Sequence, residues 1–243
     1  GWFDVNIIQH KINDGSEVTA IETELNGSTI VLDHRGIMYL PDSRTLIVSD
    51  LHLEKGAAFA RRGFLHPPYD TRLTLNLLGA CIQDYDPKVL ISLGDSFHDV
   101  DGAVHLPDMY HQQLLALQSG RDWIWISGNH DPEPPKDLEG DFIKTYIVET
   151  LTCRHEPLMD NAIGEISGHL HPAAVITRRG KSVRRACFAT DGSRLIMPAF
   201  GATTGGLSLS HKAFHGLFNP KNLYAHILGK DRIYPVHALK MRR

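Results

Sequence analysis

Three short apolar runs set the organisation of this chain. Thr45-Leu46-Ile47-Val48-Ser49 leads into Asp50-Leu51-His52, and Val89-Leu90-Ile91-Ser92-Leu93 into Gly94-Asp95. The third, Trp123-Ile124-Trp125-Ile126-Ser127, leads into Gly128-Asn129-His130-Asp131. A largely apolar run of this length fits a strand buried on both faces. Between the runs the period becomes helical. From Asp70 to Tyr85, Leu73, Leu77, Leu78, Cys81 and Ile82 recur at helical spacing, and Asp86-Pro87 closes the segment. From Pro107 to Ser119, Met109, Leu114, Leu115 and Leu117 predict a second helix, stopped by Gly120. Strand, helix, strand, helix, strand is the pattern of an open sheet with helical crossovers. Such sheets bind ligands beyond the carboxyl ends of their strands.

The flanking segments read as strands and turns. Val18 to Ile21 and Thr29 to Leu32 surround Asn26-Gly27, a dipeptide that supplies the positive φ angles of a tight hairpin. Ile37 to Leu40 and Thr45 to Val48 surround a Pro41-Asp42-Ser43 turn. Val175 to Arg179 and Ser182 to Phe188 predict a hairpin about Gly180, and Leu195 to Phe200 a further strand. A glycine-rich turn is expected from Gly201 to Gly206, and a proline-rich loop from Pro132 to Pro135. One domain over 1–243 accommodates all of this, with the hairpins at 18–48 belonging to the sheets.

Composition narrows the functional classes. The chain has 25 basic and 28 acidic residues, so no chain-wide basic surface exists to coat a duplex. Nucleic acid would have to be met through a local patch. Cys81, Cys153 and Cys187 form no CxxC pair, which argues against a zinc-finger cage and for a reducing, cytoplasmic setting. No apolar run is long enough to span a membrane, and no secretory signal is expected at the start. Histidine is the outlier, with 15 copies.

Histidine positions matter more than their number. Asp50-x-His52 and His169-x-His171 are alternate-residue pairs, which point to one side of a strand. Asp95 and Asn129 each follow a glycine, where the chain can bend sharply, and His155 lies in a loop. Together Asp50, His52, Asp95, Asn129, His155, His169 and His171 offer nitrogen and oxygen donors without thiolate. That set suits manganese, iron, zinc, cobalt or nickel better than calcium. Seven ligands exceed the needs of one four-coordinate ion, and two ions about 4 Å apart, bridged by a carboxylate, would use them all. Any one of these histidines alone would more often be a surface or packing residue.

In order, Asp50-Leu51-His52, Gly94-Asp95, Gly128-Asn129-His130-Asp131, His155 and Gly168-His169-Leu170-His171 resemble the five motifs of the calcineurin-like metallophosphoesterases. The resemblance implies an α/β, four-layer αββα sandwich, with two mixed sheets flanked by helices. It implies Asp50, His52, Asp95 and His171 on one metal, and Asp95, Asn129, His155 and His169 on the other, with Asp95 bridging. It makes His130 the group that protonates the leaving oxygen rather than a ligand. The fourth motif departs from the common Gly-His, because Arg154 precedes His155. Asp50 to Phe59, His155-Glu156-Pro157, Gly168 to Ala173, Leu195 to Gly201 and Thr204 to Leu207 further resemble the bacterial ligase-associated DNA-damage-response endonuclease-like phosphoesterases. That narrower likeness implies a manganese-dependent phosphodiesterase or nuclease, and a DNA ligase and a helicase as partners.

The chemistry expected is hydrolysis by metal-bound hydroxide, attacking phosphorus in line with the ester oxygen. His130 acts as general acid, and Asp131 either orients it or caps the turn before Pro132. His98, and Arg178, Arg179, Arg184 and Arg185 of the predicted hairpin, are candidate contacts to substrate, single-stranded or damaged DNA. Those arginines suit a solvated hairpin edge equally well. Trp123 and Trp125 fit core packing better than base stacking. Two rival functions are a phosphodiesterase or phosphatase for small nucleotides, and a non-catalytic binding scaffold on the same fold.

Overall fold

Two mixed β-sheets pack face to face, and the three apolar runs are neighbouring parallel strands of the first. The computed structural model describes residues 6–11, 17–53, 71–97, 106–128, 137–160, 162–202 and 205–241. Among the described residues the first sheet has eight strands, paired in chain order. They are β1 (Asn6–Lys11), β2 (Glu17–Leu25), β3 (Ser28–Asp33), β4 (Ile37–Leu40), β5 (Thr45–Ser49), β6 (Val89–Leu93), β7 (Asp122–Ile126) and β8 (Asp141–Ile143). Both N-terminal hairpins join this sheet, antiparallel from β1 to β5, whereas β5 to β8 run parallel. Helix α1 (Thr71–Tyr85) lies between β5 and β6 in the chain, and α2 (Asp108–Gln118) between β6 and β7.

The second sheet contains β9 (Thr145–Val148), β10 (Leu151–Arg154), β11 (Glu165–Ser167), β12 (Pro172–Arg178), β13 (Lys181–Thr190), β14 (Leu195–Ile196), β15 (Leu207–Ser208), β16 (Tyr224–Leu228) and β17 (Ile233–His237). Its order is β15-β12-β13-β14-β11-β10-β9, with β16 beside β13 and β17 beside β16. Strands β10, β11 and β14 are parallel.

Side-chain alternation along the strands builds the core in layers. Ile47, Ile91 and Ile124 face the second sheet and meet Cys153, Ile166, Phe188 and Leu195. Their neighbours Leu46, Val48, Leu90, Trp123 and Trp125 face the other way and meet α1 and α2. Burial on both faces is why these strands read as unbroken apolar runs. Both tryptophans are core residues, and the Trp125 indole N–H donates to the Glu139 carbonyl at 3.0 Å. The outer face of the second sheet is covered at Ile196 by Phe214 and Leu217, around a 3-10 helix at Lys212–Phe214.

Three details depart from the sequence pattern. In α1 the buried residues are Thr71, Leu75, Leu78, Cys81, Ile82 and Tyr85, and Leu73 is left 61% exposed. In α2 Met109 is exposed and Gln118 is buried. Gln118 tolerates burial because its amide donates to the Glu139 carbonyl and accepts the Glu139 N–H, at 2.6 and 3.3 Å. The expected strand from Leu195 to Phe200 pairs as a strand only at Leu195–Ile196. Beyond it, Met197 N–H bonds Ser167 O and Phe200 N–H bonds Ser49 O, so the buried segment joins strand ends of both sheets. No helix among the described residues is long and apolar enough to cross a membrane. The three cysteines are buried and unpaired.

Candidate metal centre

The carboxyl ends of β5, β6, β10 and β11 meet, and they carry the polar residues that end the apolar runs. Asp50 and His52 follow β5, Asp95 follows β6, His155 follows β10, and His169 and His171 follow β11. Backbone hydrogen bonds stitch these ends together: His52 N–H to Asp95 O at 2.9 Å, and Gly168 N–H to His155 O at 2.9 Å. Two donor groups result. Asp50, His52 and His171 form one, and Asp95, His155 and His169 the other, with the potential ligand atoms of each group within 4.8 Å of one another.

The backbone is bent to present these side chains. Asp50, His52, Asp95, His169 and His171 all have φ between 44° and 69°, the left-handed region that L-residues seldom occupy. Their concentration at the strand ends is the mark of geometry held for a site. Two glycines make room for it. A Cβ at Gly94 would overlap the His155 ring, and one at Gly168 would overlap Ser49 Oγ and lie 2.8 Å from Asp50 Oδ2.

In the first group, the Asp50 carboxylate is split in function. Oδ2 accepts the Ser49 hydroxyl at 2.5 Å and the His169 N–H at 3.2 Å. Oδ1 is buried without a hydrogen bond and lies 3.4 Å from His171 Nε2. Burial alone would push this carboxyl's pKa up, but the His171 imidazole and the Ser49 hydroxyl outweigh it and hold it below the ordinary value. His52 Nε2 lies 3.3 Å from His171 Nε2, with the rings edge to face. Two nitrogens bound to one ion at about 2.1 Å stand about 3.0–3.4 Å apart. An orphaned carboxylate oxygen beside two converging imidazoles therefore fits a divalent cation.

The second group is more open. His155 is buried, while Asp95 is half-buried and His169 exposed. His155 Nε2 is 3.8 Å from Asp95 Oδ1, and its Nδ1 is buried without a hydrogen bond. Asn129, His130, Asp131 and His98 lie outside the described residues.

Ser49 and Glu165 were not singled out by sequence reasoning. A serine before an aspartate carries no signal until the strand end is folded. Glu165 is buried in β11, where Oε2 meets Arg154 Nε at 3.0 Å and accepts the Leu158 N–H at 3.0 Å. Burial raises its pKa against the opposing pull of that N–H, Arg194 and Arg154. The Arg154 that replaces glycine before His155 is thus one half of an ion pair. Arg194, 3% exposed, bonds the carbonyls of Leu158 and Asp160 and stands 3.7 Å from Glu165. Together these groups fasten the loop after His155.

The predicted arginine set is divided. Arg184 and Arg185 are neighbours on β13 and so face opposite ways. Arg184 is exposed and donates to Gly206 O at 3.2 Å, while Arg185 lines a groove on the other face. Arg179 is exposed at the hairpin turn. Residue 178 ends β12 seven residues beyond His171, about 23 Å along the strand.

Two neighbouring clusters of nitrogen and oxygen donors, set where parallel strand ends of two sheets meet, are the arrangement of a metal-dependent hydrolase of phosphate esters. The chain belongs to the calcineurin-like phosphoesterase family, whose model matches residues 43–186. In fold it is similar to the nuclease MPE of Pseudomonas putida, whose crystal structure superposes with a TM-score of 0.65. That likeness covers 96% of this chain and 100% of the nuclease chain at 23% sequence identity. No curated protein sequence matches the chain.

Proposed function

We propose that this phosphoesterase is a dinuclear-metal phosphodiesterase that cleaves single-stranded or damaged DNA. The observation that carries the reading is the adjacency of two His/Asp groups, Asp50-His52-His171 and Asp95-His155-His169. Asp50, His52, Asp95 and His171 hold one ion. Asp95, Asn129, His155 and His169 hold the other, so that Asp95 is shared. Two divalent cations, assigned here as manganese, supply a water of lowered pKa and positive charge against the phosphate oxygens.

The protein's own groups do the rest. Ser49 and the His169 N–H fix Asp50 Oδ2, which leaves Oδ1 aimed into the site. Water oxygen bonds to phosphorus as the ester P–O bond breaks, and His130 delivers a proton to the departing oxygen. Asp131 holds the His130 ring in register. His98 and the arginines of the β12–β13 hairpin contact the substrate.

The net charge of −3 favours a second reading, hydrolysis of small nucleotide esters. Manganese-supplemented assays on bis-p-nitrophenyl phosphate, p-nitrophenyl phosphate and labelled single-stranded DNA separate the two. Cleavage of the diester and of DNA, reduced about 10²–10⁴-fold in His130→Ala, is expected. Turnover of small esters alone would select the nucleotide reading. Bound metal without turnover would leave a binding scaffold.

A further inference from the structure

Charge is strongly segregated along this acidic chain. Segments 175–185 and 229–243 hold ten of its 25 basic residues and one of its 28 acids, Asp231. They are more than 40 residues apart in sequence, yet the fold brings 175–185 and the described part of the second, 229–241, together. The first spans most of the β12–β13 hairpin, and the second the end of the β16–β17 hairpin and the 3-10 helix Ala238–Lys240. Strand β16 pairs with β13 at Cys187 to Thr190, which sets the two hairpins side by side.

Between them runs a groove of about 810 Å³. Its apolar lining includes Ile176, Val183 and Tyr234, exposed at 37%, 44% and 48%. Its charged lining is Arg185, Lys230, Lys240 and the single acid Asp231. Among the described residues Asp231 pairs with Arg232, and no carboxylate lies within ion-pair distance of those three cations. A purely apolar peptide would not call for this cationic lining, and an acidic peptide would not need the exposed ring. Phosphates spaced along a strand, with bases free to stack, match both features. Duplex nucleic acid offers phosphates but keeps its base faces covered.

Strand β12, which lines one side of the groove, begins next to His171. Val175 is four residues, about 13 Å, beyond His171 along β12. Leu207 N–H bonds His171 O, and Arg184 bonds Gly206 O, so the root of the hairpin is tied to the backbone of a metal-ligand candidate. We infer that the groove between the β12–β13 and β16–β17 hairpins is a binding site for single-stranded nucleic acid, with Arg185, Lys230 and Lys240 on phosphates and Tyr234 stacking on a base. The inference rests on the phosphodiesterase reading and gives its polymer substrate a place outside the metal centre.

The test uses the metal-loaded full chain and two variants, Lys230→Ala/Lys240→Ala and the same pair with Tyr234→Ala. Binding of labelled oligothymidylate is followed by anisotropy across a salt series, beside a duplex of equal length and bis-p-nitrophenyl phosphate turnover. The double variant is expected to weaken oligothymidylate binding about tenfold and to lower the log–log salt slope by about 1.4, or 0.7 for each lost phosphate contact. Removal of Tyr234 should weaken it about fivefold more. Small-diester turnover should hold, which also reports an intact fold. Unchanged oligothymidylate affinity and slope in both variants would overturn the groove, as would equal loss of duplex binding or no binding by the wild type. Groove-dependent binding without turnover of any ester would instead sink the phosphodiesterase reading and leave the groove standing.

Discussion

Five of the candidate ligands sit in left-handed backbone, and that is a cost carried by single residues. Such a conformation costs a non-glycine residue on the order of 1 kcal/mol or more, because Cβ crowds the neighbouring carbonyl. The cost leads to a measurable ordering. At His171, with φ of 46°, glycine should be better tolerated than alanine although both remove the imidazole. Urea unfolding of the metal-free variants is expected to show His171→Gly more stable than His171→Ala by about 1 kcal/mol, with metal affinity lost in both. The reverse order would mean that the left-handed geometry is wrong. Aspartate and histidine spacing marked these residues out in the sequence, but their φ angles were not legible there. Only the crossing of strand ends from two sheets forces the chain to turn at those positions.

At the scale of elements, the site depends on how β5, β10 and β11 are pinned at their ends. Glu165 is the pin for the loop after His155. It pairs Arg154 and stands near the buried Arg194, which in turn holds Leu158 and Asp160. Removing one partner of a buried ion pair leaves the other desolvated and uncompensated, at about 3–5 kcal/mol. Glu165→Ala should therefore lower the denaturation midpoint and also weaken metal binding, which isothermal titration would register. A destabilised protein with wild-type metal affinity would show that the Glu165 cluster is structural only. The sequence offered Arg154 as an unexplained departure from a glycine. Its partner lies on a parallel strand beyond a ten-residue connection, and pairing across such a connection cannot be read from local pattern.

For the whole molecule, acid stability depends on a histidine outside the site. His226 in β16 is 3% exposed, and burial lowers its pKa from 6.5 to about 4. Between those values the unfolded chain binds a proton that the native protein excludes, so stability falls as pH drops from about 6.5 to about 4. The loss is on the order of 3 kcal/mol, at 1.36 kcal/mol for each pH unit. Thermal melts at pH 7 and pH 4.5 should show a smaller acid shift in His226→Phe than in the wild type. Equal shifts would assign acid lability to other groups.

What the sequence determined by itself was local and periodic. It determined the three doubly buried strands, the crossover helices, the hairpins, and the donor residues at the strand ends. Those follow from side-chain burial at fixed period and from the short reach of each motif. Tertiary structure decided the rest. It sorted the donors into two groups, gave Ser49 its hold on Asp50, and explained Arg154 through Glu165. It divided Arg184 from Arg185 by the pleat of one strand. It also set Lys230 and Lys240 beside a hairpin more than 40 residues earlier. These outcomes depend on which strand lies beside which, and that is fixed by packing two sheets around one shared core.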